Sequence, residues 1–183
     1  MFMVHLLVSL FELVLMVIMS GGIIYLIYRI FIKANKDFDM EEAIAEGNIA
    51  VGILVSVIMI SAALMLEKGL GASVGMFRLA VSAPTEVSLP LWQAGLLTLC
   101  HLALTLGIAL FTVSATLRLF GRLARNINPH MRLGEHLKNG NVAVGILLAA
   151  VVFISTHYVG EGVSALTKAL VPQPGIGKIE IMK

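Results

Sequence analysis

Three polar side chains stand inside long apolar runs of the sequence, where they need a partner or water. Glu12 is the acidic residue placed well inside such a run, and an ionised carboxylate at mid-membrane costs about 3 kcal/mol. His101 lies at a similar depth when helical rise is counted from Leu91, and Thr105 follows one turn later. We therefore predict a polar layer of Glu12, His101 and Thr105 in a bundle interior. It would either bind or relay a proton, or hold a neutral carboxyl group hydrogen-bonded to a neighbour.

Other arrangements that carry chemistry are poorly supported. Haem ligation between facing helices would need histidines at matching depths, but His5 and His157 lie near helix ends and only His101 is deep. The single cysteine, Cys100, excludes an intrachain disulfide and metal sites built on several thiolates. The extramembrane stretches are too short to hold an enzyme domain. We predict no metal, no cofactor and no catalytic activity.

The elements that must position these residues follow from the composition. Hydrophobic residues make up 58% and charged residues 13% of the 183-residue chain, whereas about 25% of residues are charged in a soluble domain. This excludes a cytosolic enzyme, a nucleic-acid-binding protein and a disordered tail. A bilayer partner is expected instead.

Four runs are long enough to cross a hydrocarbon core about 30 Å thick, which takes about 20 apolar residues in a helix. They are Met3–Ile32, Ile49–Leu66, Leu91–Leu117 and Val142–Val159. Because backbone amides cannot be left unpaired in lipid, each run is predicted to be a helix. The predicted fold class is an all-α membrane protein with four transmembrane helices.

The distribution of Lys and Arg predicts the orientation of these helices. Eight of the 13 cations flank the loops that join the first helix to the second and the third to the fourth. Short loops rich in Lys and Arg stay in the cytoplasm. We expect both of these loops inside and both termini outside.

An internal repeat organises the chain. Residues 42–54 align without a gap with residues 135–147, and the shared core is Gly-Asn-x-Ala-Val-Gly-Ile-Leu. We predict two helical-hairpin repeats, 1–89 and 90–183, that run parallel and are related by a pseudo-twofold axis along the membrane normal.

Each hairpin is followed by a short, mainly apolar segment with one cation, over 69–84 in the first repeat and 162–172 in the second. Such a segment suits a helix lying in the membrane interface, and a plain loop is the alternative. The remaining tail, from Gln173 onward, is expected to be flexible.

The duplicated motif places an asparagine among small residues at the cytoplasmic entry of the second helix of each hairpin. The residues concerned are Gly47, Asn48 and Gly52 in the first repeat and Gly140, Asn141 and Gly145 in the second. Small residues allow close backbone approach, and an asparagine amide can bond a neighbouring helix. We favour helix packing as their role; the alternative is a polar pair that lines a pathway.

Charged residues also recur at the helix ends. Arg29 and Arg122 share one repeat position, and Glu42 and Glu135 share another. We predict that each glutamate pairs with the arginine of its own hairpin at the membrane boundary. Separate solvated charges are the alternative. For Glu42 a capping box with Asp39 would also explain the residue.

The motif, the duplicated two-helix unit and the length resemble the bacterial inner-membrane proteins grouped as domain of unknown function 350. The resemblance extends over nearly the whole chain. It implies a small multipass protein of a bacterial inner membrane and brings no biochemical activity with it.

The residues themselves favour a non-catalytic scaffold or subunit of a membrane complex, with a protein partner or a second copy of the chain. The alternative is a small ion channel or proton-coupled transporter that uses Glu12 and His101. A haem or quinone redox subunit is a third possibility. No nucleic-acid partner is expected.

Overall fold

The computed structural model describes residues 2–32, 39–82, 90–128, 130 and 132–170, and these ranges are helical apart from short turns. The helices are α1 (Phe2–Ile27, continued by a π-helical turn over Tyr28–Ile32), α2 (Met40–Ala45), α3 (Ile49–Ser82), α4 (Leu91–Ile127), α5 (Leu133–Lys138) and α6 (Val142–Leu170). Four of them, α1, α3, α4 and α6, are long and apolar enough to cross a membrane. The predicted all-α class with four spanning helices is confirmed.

Three of the spanning helices, α3, α4 and α6, are longer than the sequence runs that predicted them. Helix α3 continues without interruption to Ser82, and α6 continues to Leu170. The described parts of the expected interfacial segments, 69–84 and 162–172, are thus continuous with these helices. Glycine alone does not stop a helix that has packing partners, and the nearest proline follows each helix end. The tail from Gln173 lies outside the described residues.

The same turn precedes the second spanning helix of each repeat. The N–H of Gly47 donates to the carbonyl of Ile44 at 3.0 Å, and the N–H of Asn48 donates to the carbonyl of Ala43 at 2.9 Å. This pair of bonds is a Schellman motif, which needs a left-handed residue after the helix. Gly47 supplies it with a φ of 82°, and Gly140 supplies it in the second repeat with a φ of 75°. A Cβ atom there costs about 1–2 kcal/mol.

The asparagine of the motif then begins the next helix. Asn48 Oδ1 accepts a hydrogen bond from the N–H of Val51 at 3.1 Å, and Asn141 Oδ1 accepts one from Val144 at 3.3 Å. An asparagine at this position satisfies an N–H that would otherwise lack a helical partner. Gly-Asn therefore ends a short helix and starts a spanning one in both repeats.

Helices α3 and α6 form the centre of the bundle and run parallel to each other. Ala50 contacts Gly145 near their first residues, and Lys68 pairs with Glu161 about 28 Å further along. Lys68 and Glu161 occupy the same position in the two repeats. The pair of helices is therefore held in the register of the sequence repeat.

The first helices of the two repeats are placed differently. Helix α4 packs against both α3 and α6, whereas α1 has its main contact with α3. A large apolar cluster joins these elements, with Ile27, Leu54, Val113 and Val152 among its buried members. Equivalent helices thus have different neighbours, although the local structure of the two repeats is alike.

Candidate functional site

The three residues of the predicted polar layer lie on packed helix faces. Because their positions recur at helical spacing, Glu12, Leu15, Ile23 and Ile27 share one face of α1. The three apolar residues of this face are buried. Glu12 is itself half-buried. The corresponding face of α4 carries His101, which is half-buried, and Thr105, which is buried. All three side chains thus face the bundle.

His101 makes its described hydrogen bond within its own helix. His101 Nδ1 lies 3.1 Å from the carbonyl oxygen of Leu97, so we assign the ring proton to Nδ1. His101 Nε2 is buried and has no hydrogen-bond partner among the described residues. Neither ring nitrogen therefore bonds Glu12. Thr105 instead fits against Gly69 of α3, where an added Cβ would meet its hydroxyl oxygen at 2.4 Å.

The packing of the layer shows its position along α3. Leu15 and Leu102, which flank it, form one apolar cluster with Val74 of α3. Val74 lies about 37 Å along α3 from Ile49, farther than the thickness of a hydrocarbon core. Glu12 and His101 therefore lie at the level of the C-terminal half of α3. Counting depth along α1 alone misses this because α1 and α4 are displaced along the bundle relative to α3.

Of the two motif asparagines, one joins the repeats. Asn48 Nδ2 donates to the carbonyl oxygens of Leu137 and Lys138 in the last turn of α5, at 3.1 and 2.9 Å. The Leu137 carbonyl also accepts the N–H of Gly140 at 3.0 Å in the turn that ends α5. Asn141 caps its own helix and is exposed. Asn48 therefore links the two repeats through hydrogen bonds from α3 to α5.

The equivalent glycines Gly52 and Gly145 also have different surroundings in the two repeats. A Cβ on Gly145 would lie 2.6 Å from the carbonyl oxygen of Ala50 and 2.8 Å from its Cα, so α3 and α6 meet there backbone to backbone. A Cβ on Gly52, at the equivalent position, would meet nothing within 4 Å. Gly47 and Gly140 serve the turns described above. Close approach is thus the role of one motif glycine.

The predicted boundary ion pair of the first hairpin is replaced by local contacts. Arg29 Nη1 donates to the hydroxyl oxygen of Tyr25 at 2.9 Å, one turn back on the same helix. Glu42 stands in the first turn of α2, where its N–H donates to the Asp39 carboxylate at 3.0 Å. Asp39 is the N-cap of that helix, as the capping pattern predicted.

In the second hairpin Glu135 pairs with Arg132 and not with Arg122. The distance from Arg132 Nη1 to Glu135 Oε1 is 3.0 Å, and both side chains are largely exposed. The partner is three residues away on the same turn, where side chains meet without ordering a loop.

A double-mutant cycle tests this assignment. Arg122→Ala and Glu135→Ala are expected to change the free energy of unfolding additively, because the two side chains are not paired. Arg132→Ala and Glu135→Ala should show a coupling of about 0.5 kcal/mol, as for an exposed ion pair. Chemical unfolding in detergent measures both cycles. A larger coupling for Arg122 than for Arg132 would contradict the assignment.

A further group of polar residues lies between α3 and α6, in a cavity of about 290 Å³ that we call the α3–α6 groove. Its lining residues are Ser61, Leu64, Met65, Lys68, Phe153, Thr156, His157 and Gly160. The His157 ring stacks on Phe153 with centroids 6.3 Å apart. No motif or spacing in the sequence indicates this group as a whole. Its one sequence cue is that Lys68 and Glu161, at one repeat position, have opposite charges.

The described part of the chain holds no arrangement of side chains of the kind that the metal and haem hypotheses need. No group of three or more His, Cys, Asp or Glu side chains is placed there to hold a metal ion. His101 bonds within α4, and His157 lies in the α3–α6 groove. The side chain of His5 lies outside the described part of the structure.

The comparison with known families shows to which family the chain belongs. The sequence profile of Domain of Unknown Function (DUF350) matches residues 3–162, which include both hairpins and both Gly-Asn motifs. The chain belongs to the DUF350 family. Comparison with curated proteins and with solved structures gives no significant match.

The matched DUF350 region contains both groups of polar residues, the Glu12–His101 level and the α3–α6 groove. No ionisable side chain in the described residues is fully buried; the buried polar residues there are Ser61 and four threonines. Thr112 and Thr156 bond carbonyls of their own helices. The geometry therefore places polar side chains at two levels of the bundle, and the central helices touch where Gly145 meets Ala50 and where Gly69 meets Thr105.

Proposed function

We propose that this DUF350 protein is a non-catalytic subunit or scaffold of a complex in the bacterial inner membrane, with both termini outside. The observation that carries the proposal is the closed centre of the bundle. Helices α3 and α6 touch through Gly145 and Ala50, and α3 and α4 touch through Gly69 and Thr105. At these two contacts the helices leave no room for a hydrated pathway, which a conducting protein needs along its whole length.

The two repeats are also tied together at separate levels. Asn48 bonds α5 at one end of α3, and Lys68 pairs with Glu161 about 28 Å away. A unit held at two levels resists relative movement of its hairpins, which alternating access would require. This supports a rigid role in assembly over a transport cycle.

Helix α1 offers the surface for such an assembly. Its buried residues, Leu15, Ile23 and Ile27, form a single stripe, while most other described side chains of the helix are exposed. The exposed apolar faces of α1 are available to lipid, to a helix of another protein or to a second copy of the chain. We place the protein partner on this helix.

One observation favours the second candidate, a proton- or ion-translocating protein. His101 Nε2 is buried without a hydrogen-bond partner in the described residues, on the helix face that also carries Thr105. An unbonded imidazole nitrogen in a bundle can accept a proton. In this candidate Glu12 and His101 would act together.

Two measurements on one preparation separate the candidates. For the scaffold we expect proteoliposomes of the native chain to show no proton or ion flux above empty vesicles. A photocrosslinker at exposed Leu10 or Ile18 should capture one stoichiometric partner, and the same probe at buried Ile58 should not. Flux that is lost in Glu12→Gln and His101→Leu variants would overturn the scaffold and establish the translocator.

A further inference from the structure

The α3–α6 groove contains a buried hydroxyl group that no protein atom uses. Ser61 is 2% exposed, and its Oγ has no hydrogen-bond partner among the described residues. The neighbouring Thr156 hydroxyl donates back to the carbonyl of Val152 at 2.8 Å, as helix hydroxyls commonly do. A buried hydroxyl without a partner is costly. A ligand with an acceptor oxygen in the groove would remove that cost.

An ion pair stands at one end of the groove, formed by the lining residue Lys68 and by Glu161 beside the groove. Lys68 lines the groove with a side chain 28% exposed, and its partner Glu161 is 62% exposed. Lys68 lies about 10 Å along α3 from Ser61 and about 28 Å from Ile49. Because a hydrocarbon core is about 30 Å thick, Lys68 is at the level of lipid headgroups when Ile49 marks the opposite boundary. Ser61 is then below that level.

The wall between these levels is apolar and open to lipid. Leu64 and Phe153 line the groove, and both are 42% exposed. A volume of about 290 Å³ is at the lower end for small-molecule sites. One full turn of a helix, about 10 Å across and about 5.4 Å long, needs a larger volume than this. The shape therefore fits part of a lipid and does not fit a spanning segment of a partner.

We propose that the α3–α6 groove binds one zwitterionic phospholipid, such as phosphatidylethanolamine. Lys68 donates to the phosphate, the Glu161 carboxylate faces the ammonium group, and the Ser61 hydroxyl donates to an ester carbonyl beneath the headgroup. One acyl chain lies along Leu64 and Phe153. The headgroup carries one charge of each sign, and so does the end of the groove.

This charge pattern separates phospholipid classes. An anionic headgroup such as phosphatidylglycerol also carries a phosphate for Lys68, but it has no cation to place beside Glu161. Like charges at short range disfavour it. We therefore expect the zwitterionic lipid to bind more tightly than an anionic lipid with the same acyl chains.

Native mass spectrometry of the full chain in detergent tests the proposal, with phosphatidylethanolamine and phosphatidylglycerol of matched chains as probes. The native chain should retain one phosphatidylethanolamine and bind phosphatidylglycerol about tenfold more weakly. Ser61→Ala should weaken phosphatidylethanolamine binding about fivefold, as for one lost hydrogen bond. Ser56→Ala, the same change at an exposed position on α3, is the matched control and should have no effect.

The charged variants give an independent result. Glu161→Gln should reduce the ratio between the affinities for phosphatidylethanolamine and phosphatidylglycerol. Lys68→Gln should weaken the binding of both lipids. If Lys68→Gln fails to fold, Ser61→Ala still decides, because the lipid-free protein loses no hydrogen bond through that change.

Two outcomes would overturn the proposal. One is equal binding of both lipids, together with equal behaviour of Ser61→Ala and Ser56→Ala. The other is a disulfide-linked dimer formed efficiently by a Phe153→Cys variant in lipid, which would show that a second copy covers the groove. Neither outcome bears on flux or on partner capture at α1, so the proposed function is tested separately.

Discussion

Replacing Gly145 with alanine is expected to lower the free energy of unfolding by about 3 kcal/mol, the upper part of the range for overpacked sites. The added Cβ would lie 2.6 Å from the carbonyl oxygen of Ala50, and a backbone atom cannot move aside as a flexible side chain can. The central α3·α6 pair would have to separate. Unfolding in mixed detergent micelles, followed by circular dichroism, measures the change.

Gly52 provides the matched control, because it holds the same position in the other repeat. Its Cβ would meet nothing within 4 Å. Gly52→Ala should leave stability unchanged or raise it by up to about 1 kcal/mol, the gain in helix propensity of alanine over glycine. If the two substitutions have equal effects, the asymmetric packing of the repeats described here is wrong.

Replacing Asn48 with alanine is the second large expected effect, a loss of about 2–3 kcal/mol. The change removes the N-cap of α3, which is worth about 1 kcal/mol. It also removes two bonds to the carbonyls of Leu137 and Lys138, worth about 1 kcal/mol each. Amide hydrogen exchange should become faster in α5, a helix of the other repeat.

Asn141→Ala is the control for this prediction. Asn141 makes the equivalent cap bond at 3.3 Å, but it has no bond to α2 among the described contacts. Its replacement should cost about 1 kcal/mol and leave exchange in α2 unchanged. Equal losses for the two asparagines would mean that the bonds from Asn48 to α5 contribute nothing to stability.

Several features were predictable because they depend on chemistry within one segment. An apolar run of about 20 residues must be helical in lipid, since its amides have no other partners. The Gly-Asn motif supplies a left-handed position and a capping side chain, roles that are local although the motif was interpreted above as one of helix packing. Asp39 likewise caps α2 through its neighbours in sequence.

Features that join distant segments were predicted less well. The depth of Glu12 was counted along one helix, whereas the packing of Leu15 against Val74 shows the displacement of α1 along the bundle. Glu135 was assigned to Arg122, but Arg132 is closer. For Glu12 the packing between helices decides its level, and for Glu135 a partner three residues away takes precedence over the one predicted at the helix end.

The sequence by itself determined the four apolar helices, the duplicated turn at Gly47 and Gly140, and membership of the DUF350 family. Only the tertiary structure decided which member of each equivalent pair makes a long-range contact, as Gly145 and Asn48 do. The reason is physical. Two repeats with one local sequence form the same turns, but α4 packs against both central helices while α1 packs chiefly against α3, so equivalent residues meet different neighbours.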